Sequence, residues 1–526
     1  MVRSVPTNRS SAILALAVAL VLASCSSGSN DAGGATTTTK AERSTTTSAV
    51  TTTTRPGAAE RLDLTTPASV NGPIEGGRYG VPYLGMPQAW FDRYGYREDE
   101  YFVSGEAVGF YADGEAGSDL APDGQWDVST TSATAPYETR VVVRRPKDPK
   151  DFSGTVVVEW LNVSAGRDSD PDFGFFGEQL LANGDAYVGV SAQEMGVEPG
   201  GLGIEVPNVP KEALQPLKEW DPERYGELHH PGDEWSYDIY SQAARAALET
   251  GKGSLLDGLE AERLIATGES QSAFRMVTYI DAVQPLTKLF DGFLVHSRGE
   301  AAADLNADQK PPAGVQIRTD TDVPVVQFET ETDLDLLQFV KARQDDFDHL
   351  VTWEVAGTAH ADRSTLDYAV DAGGRWTKAN VDLSSSCGSI NDGPQQPVVN
   401  AAFAHLEDWV AGGDPLPAGP RLEVEPDGTI VRDDLGIAKG GIRTPAVDAP
   451  TKVLTGENPT PSVICSLFGS STPLTSQQLQ DLYADHDAYV QAVTTSADGA
   501  REDGFLLAPA AKAMVTEAKQ ADVPPA

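Results

Sequence analysis

Short apolar runs recur along the chain and alternate with stretches whose apolar residues fall three and four apart. The runs at 155–160, 187–191, 264–267, 289–296, 323–328 and 350–355 hold Val, Ile, Leu and Phe with little polar alternation. Strands covered on both faces read this way. Residues 137–144 alternate instead and predict a half-buried strand. Helical spacing appears at 172–183, closed by Gly184, and at 236–249, where Tyr237, Ile239, Tyr240, Ala243, Ala244 and Ala247 form one face. Two further helices are expected at 334–342 and 398–410. Strands alternating with helices predict an α/β fold with a mostly parallel central sheet and helices on both faces. Residues 79–131 are rich in Gly, Tyr and Asp and show no period, and 195–231 reads as irregular. From 412 to 518 the pattern predicts a hairpin at 421–432 and a helix at 476–493. These belong to a C-terminal extension on the same domain, with a separate small domain as the alternative.

The first 66 residues carry none of this patterning. Arg3 and Arg9 precede an apolar stretch at 12–23 that is too short to span a bilayer comfortably. It ends in Leu22-Ala23-Ser24-Cys25, which resembles the lipobox of bacterial lipoproteins. The resemblance implies cleavage before Cys25 and a lipid on its sulfur. Residues 25–66 are Ser, Thr, Gly and Ala with scattered charges and cannot bury a core, so a disordered linker is expected there. The expected organisation is a signal peptide at 1–24, a linker at 25–66, a catalytic domain at 67–518 and a tail at 519–526. The protein would be exported and lipid-anchored to the cell membrane, facing away from the cytoplasm.

Charge narrows the partners. The 526 residues include 39 basic and 78 acidic side chains, a formal net charge of -39. Such a surface repels nucleic acid and anionic lipid, so the membrane partner is expected through Cys25 alone. Cys387 and Cys465 remain, and outside the cytoplasm two such cysteines in one domain are expected to pair. No His/Cys cluster has metal-ligand spacing and no Gly-rich phosphate loop follows a strand, so neither a metal nor a cofactor is expected. Oligomeric state is not specified by any of these features.

The chemistry centres on 264–274. An apolar strand runs into Gly268-Glu269-Ser270-Gln271-Ser272, and helical spacing follows. This is the strand–turn–helix of a nucleophile elbow, G-x-S-x-G, with Ser at its last position. Small residues on either side of Ser270 let the helix pass close to the strand while the Ser270 hydroxyl projects. Such a serine needs a base, and the base an orienting carboxylate, in the chain order Ser, acid, His that marks the α/β-hydrolase fold. Asp333, at the end of the loop after the 323–328 strand, is the preferred acid. Glu331, two residues earlier, and Glu300, after the preceding strand, are the alternatives. His360 follows the last strand and is the expected base; His296 ends a strand beside the same edge and could line the pocket. The oxyanion hole is expected from the backbone N–H of Gln271 and one N–H of the 160–164 loop, at Asn162 or Val163.

Together these stretches resemble a bacterial family of exported proteins described as α/β-hydrolase domain proteins. The matching residues include Arg144-Arg145-Pro146, Glu159-Trp160-Leu161-Asn162-Val163, the 268–272 elbow, His296-Ser297-Arg298, Glu331-Thr332-Asp333, Ala359-His360-Ala361-Asp362 and Cys465-Ser466-Leu467-Phe468. The resemblance spans about 67–518 and implies the fold and the Ser–His–Asp chemistry, not the substrate. The resulting expectation is a serine hydrolase cleaving a small-molecule carboxylic ester. An amidase or peptidase with the same residues, or a binding lipoprotein that has lost its chemistry, are the competing readings.

Overall fold

Alternate residues of each central strand face opposite sides of one sheet, and both sides are covered. Val156 and Val158 pack with Ala266, Phe293 and Val325 on one face, while Val157 packs with Ile265, Leu294 and Val326 on the other. Double coverage is why these strands read as unbroken apolar runs. The computed structural model describes residues 66–113, 120–201, 203, 211–377 and 383–525. The expected signal peptide, Cys25 and all but the last residue of the 25–66 linker lie outside the described residues.

Among the described residues this sheet has nine strands, β1 (Ser69–Asn71), β2 (Tyr96–Ala112), β3 (Val128–Pro146), β4 (Thr155–Trp160), β5 (Ala186–Val190), β6 (Arg263–Glu269), β7 (Gly292–His296), β8 (Val325–Thr330) and β9 (Leu350–Val355). Their order is β1-β2-β3-β5-β4-β6-β7-β8-β9. Pairing is antiparallel from β1 to β5 and parallel from β5 across to β9. Strand order reverses at the β4–β6 pair, the place where open α/β sheets leave a crevice at their carboxyl ends. Ser270 directly follows β6 at that edge.

One face is covered by α2 (Ser236–Ala246) and α3 (Gln271–Thr278), the other by α1 (Pro171–Asn183) and α6 (Gln395–Val410). Gly184 ends α1 with φ of 86°, a left-handed position that suits glycine. The extension adds a two-stranded sheet, β10 (Lys452–Thr455) with β11 (Ser470–Pro473), and the helices α8 (His486–Glu502) and α9 (Ala508–Ala518). Ala497, Phe505 and Ala511 join the core layer that holds Trp353 and Phe403.

Several expectations need correction. The region without a period contains β2, a 17-residue strand paired along almost its whole length with β3. The helix expected at 334–342 is instead α4 (Glu331–Asp335) and a single 3-10 turn at Phe339–Lys341, separated at Gln338, whose φ is 62°. The hairpin expected at 421–432 is present, with Val424 bridged to Ile430 and the Val431 N–H donating to Glu423 O at 2.9 Å, but a second turn follows it, in which Arg432 bridges Ala438 and Leu422 bridges Gly440. The helix expected at 476–493 breaks after Leu482, and Asp485 caps α8 by accepting the Ala488 N–H at 2.8 Å. Arg363–Gly373 forms a helix, α5, that apolar spacing does not reveal.

Two buried arginines of β3 tie the N-terminal strands to the site. Arg140 pairs with Glu100 at 3.0 Å and donates to Tyr83 O at 2.6 Å. Arg144 pairs with Glu98 at 3.0 Å and Asp170 at 2.8 Å, and donates to Leu84 O at 2.6 Å. Buried charges are tolerated only when paired in this way. The segment they hold, Tyr83 and Leu84, forms one wall of the cavity described next.

Candidate active site

Ser270 sits between β6 and α3 with φ 60° and ψ -120°, a conformation strained for a residue with a side chain. Its N–H donates to His296 O at 3.0 Å, which extends the β6–β7 pairing through the turn. The turn demands glycine at 268: a Cβ there would lie 2.9 Å from the backbone C and O of Ser272. Ser272 is fully buried, and its hydroxyl has no hydrogen-bond partner among the described residues. Its small size, not its polarity, is what the close approach of α3 uses.

His360 lies in the loop after β9. Gly357 takes φ of 77°, and a Cβ there would meet Val447 at 2.5 Å, so the loop can turn back only with glycine. Thr358 Oγ1 donates to Val355 O at 2.7 Å, and Ala361 N–H donates to Leu467 O at 3.0 Å. The ring is thereby delivered between two partners. His360 Nε2 is 2.7 Å from Ser270 Oγ, and His360 Nδ1 is 2.7 Å from Asp333 Oδ1. Asp333 is fully buried in the first turn of α4, where its Oδ2 accepts both the N–H and the hydroxyl of Thr330 at 2.7 Å. That capping box fixes one oxygen and leaves the other to the imidazole.

The alternative acids point elsewhere. Glu331 accepts the N–H of Gly357 at 2.6 Å and of Gly456 at 3.2 Å, and pairs with Arg432 at 2.9 Å. It fastens the His360 loop to the extension. Glu300 pairs with Lys341 at 2.9 Å. His296 does not line the cavity. It is fully buried, with Nδ1 2.7 Å from Asp172 Oδ1 and Nε2 3.1 Å from Gln395 Nε2.

Of the expected oxyanion donors, Gln271 begins α3 directly after Ser270. The Asn162 N–H is committed to Ser169 O at 2.8 Å, which leaves Val163 as the candidate from that loop. The Asn162 side chain has a role that the sequence does not reveal. Its Nδ2 donates to Glu269 O at 3.0 Å and to Glu269 Oε2 at 3.3 Å. Glu269 itself is absent from the expected site, yet its Oε1 is 3.4 Å from His360 Nε2. A carboxylate set between small and apolar neighbours in the elbow is the available signal. Burial pushes the Glu269 carboxyl up to about 7, against the opposing pull of His360 and His296. Burial opposes charge on His360, but Glu269 and Asp333 outweigh it, so the imidazole binds its proton more tightly than a free histidine.

The Glu-Trp-Leu-Asn run also acquires a physical account. Glu159 accepts the N–H groups of Asp172 and Phe173 at the start of α1, at 3.1 and 3.0 Å, and the Tyr187 hydroxyl at 2.9 Å. It seats α1 against the sheet beside the elbow.

Ser270 and His360 open into a cavity of about 260 Å³. Its walls are mostly apolar, with Leu214, Leu366, Trp376, Ile464 and Phe468 among them. Part of the 195–231 excursion, Ala213 and Leu214, reaches the wall. Trp220 stands behind it, stacked on Tyr79 at 4.3 Å, and His230 is held by Ala192 O at 2.9 Å. Residues 202 and 204–210 of that excursion lie outside the described residues. Cys387 and Cys465 form a disulfide, and Cys465 lies in α7 (Val463–Leu467), the helix that carries Ile464 and Leu467. Among the described residues, no group of His, Cys, Asp and Glu is arranged to hold a metal ion.

The arrangement is chemically specific. A hydroxyl that donates to an imidazole, itself held by a buried carboxylate, can lose its proton as it attacks an electrophilic carbon. No curated protein matches this chain in sequence. Among solved structures, a fungal esterase of Rhizomucor miehei is similar at a TM-score of 0.29 and 12% identity, over 59% of this chain and 85% of that one. The esterase Est22 gives 0.28 and 12%, over 59% and 81%. An α/β serine hydrolase without a lid from Xanthomonas campestris gives 0.25 and 14%, over 52% and 96%. Residues 70–516 match the family model described as Alpha/beta hydrolase domain, and the chain belongs to that family.

Proposed function

We propose that this hydrolase cleaves a carboxylic ester of a small molecule through an acyl-enzyme. Ser270 is the nucleophile, His360 the general base and then acid, and Asp333 the carboxylate that holds the imidazole. The observation that carries the reading is the unbroken pair of 2.7 Å contacts from Ser270 Oγ through His360 to Asp333. As Ser270 Oγ bonds to the ester carbon, its proton passes to His360 Nε2. The carbonyl electron pair moves onto oxygen, received by the N–H groups of Gln271 and Val163. Collapse expels the alcohol, which takes the proton from Nε2, and water repeats the sequence to free the acid. A largely apolar cavity of about 260 Å³ suits an apolar acyl or alcohol group of modest size.

We further propose that residues 1–24 export the chain, that Cys25 carries the lipid anchor and that 25–66 tether the enzyme above the membrane. Cys25→Ser is then expected to leave the membrane fraction, and its retention there after cleavage of the leader contradicts the anchor. Esters of graded acyl length, compared with amide and peptide substrates, test the reaction class. Ester turnover at least tenfold faster supports the reading, and faster peptide turnover favours the peptidase alternative.

A further inference from the structure

Two carboxylates flank the one imidazole. Asp333 holds Nδ1 at 2.7 Å, and Glu269 Oε1 approaches Nε2 at 3.4 Å, on the side from which Ser270 Oγ approaches at 2.7 Å. Asp333 serves the ring edge that keeps its proton. Glu269 faces the edge at which the proton is exchanged, and the mechanism above does not use it. It is nearly buried, about 6% exposed, and lines the cavity beside Ser270. Its other oxygen accepts from Asn162 Nδ2 at 3.3 Å, so the carboxylate is held in place from the β4 side.

We propose that Glu269 is a positioning residue acting through His360: a second acceptor for the Nε2–H of the imidazolium, which favours the proton-loaded ring and sets the pH below which activity is lost. The inference rests on the reading of Ser270 and His360 as nucleophile and base. When Ser270 Oγ gives its proton to Nε2, the N–H lies between the leaving-group oxygen and Glu269 Oε1. Glu269 neither gives nor takes the proton, which goes on to the leaving alcohol.

The electrostatics agree with this geometry. The groups facing Glu269 are His360 from the β9 loop, His296 from β7, Asp172 from α1, Asp333 from α4 and Asn162 from the β4 loop. Of these only the two imidazoles can supply positive charge. His296 already lies 2.7 Å from its own carboxylate partner, Asp172. His360 is thus the countercharge that arises during turnover, and burial makes their attraction strong. Reciprocally, Glu269 and Asp333 both raise the proton affinity of His360.

The test is the pH profile of kcat/KM for Glu269→Gln, which keeps shape and removes charge. Its acid limb is expected to move to lower pH by about one unit or more, since an opposite charge at this range has that effect on an imidazole. Plateau kcat should fall about tenfold with KM little changed, the same free-energy difference read in the transition state. A parallel measurement does not depend on turnover. The His360 ring is titrated by NMR with isotope-labelled histidine in Ser270→Ala and in Ser270→Ala/Glu269→Gln, and the double variant should titrate at lower pH. A wild-type acid limb in folded Glu269→Gln overturns the proposal, and so does an unmoved His360 titration. If Glu269→Gln does not fold, Glu269→Asp keeps the charge but withdraws it by one methylene. Its limb should shift the same way, and an unmoved limb there is equally fatal. Full activity of Ser270→Ala would instead sink the underlying reading, while the titrations would still report on the Glu269–His360 pair.

Discussion

Asp333 and Glu331, two residues apart in the first turn of one helix, serve different ends of the His360 loop. Asp333 Oδ1 meets the imidazole at 2.7 Å, whereas Glu331 accepts the Gly357 N–H at 2.6 Å and pairs with Arg432. The first contact concerns the proton and the second the shape of the loop. Asp333→Asn should therefore lower kcat by roughly 10⁴ with substrate binding little changed, because the amide cannot hold the required tautomer. Glu331→Gln should retain most of kcat and lower stability, by about 3 kcal/mol, as a buried ion pair loses one partner. Steady-state kinetics and denaturant unfolding of both variants check this. A nearly wild-type Asp333→Asn beside an inactive Glu331→Gln would reverse the assignment.

The pH dependence follows from His360. In the mechanism proposed above the ring must be neutral to accept the Ser270 proton, and its proton affinity is raised by Glu269 and Asp333 in spite of burial. Activity is therefore lost as pH falls through a value above the ordinary histidine range. The acid limb of kcat/KM for a neutral ester, which reports the free enzyme, should have its midpoint above about 6.5. A midpoint near 5 would mean that the two carboxylates do not act on this imidazole.

The disulfide braces the cavity wall. Cys465 shares α7 with Ile464 and Leu467, which line the cavity, and Leu467 O receives the Ala361 N–H next to His360. Replacing both cysteines by alanine frees a loop with a sequence separation of 78. Stability should fall by roughly 2–4 kcal/mol, and KM should rise more than kcat falls, since the wall loosens before the proton relay does. Unfolding and Michaelis curves of Cys387→Ala/Cys465→Ala decide it; an unchanged KM would separate the disulfide from the site.

What the sequence makes legible follows from burial. The strands at 155–160 and 350–355 have the expected bounds because both faces are covered, so composition alone marks them. The elbow is legible because tight backbone approach admits only small residues at 268 and 272. β2 is not, because Arg97, Glu98, Asp99 and Glu100 interrupt its apolar positions. Glu98 and Glu100 are matched by Arg144 and Arg140, which lie about forty residues or more later in the chain. Such long-range pairs leave no local period. α5 escapes apolar spacing although Asp362 and Thr365 form a capping box at its start, because it buries little more than Leu366 and Ala372. The sequence points to the backbone of Asn162, whereas its side chain is what meets Glu269. Which neighbour an amide meets depends on strand order, and a single sequence does not carry that.

The central claim is that Ser270 is the nucleophile, and covalent labelling tests it whatever the substrate is. A fluorophosphonate should form one adduct per chain, located by peptide mass spectrometry on Ser270. Labelling should be lost in folded Ser270→Ala and, because the base is removed, in His360→Ala. An adduct on any other residue, or an unlabelled wild-type enzyme that still hydrolyses esters, would contradict the account.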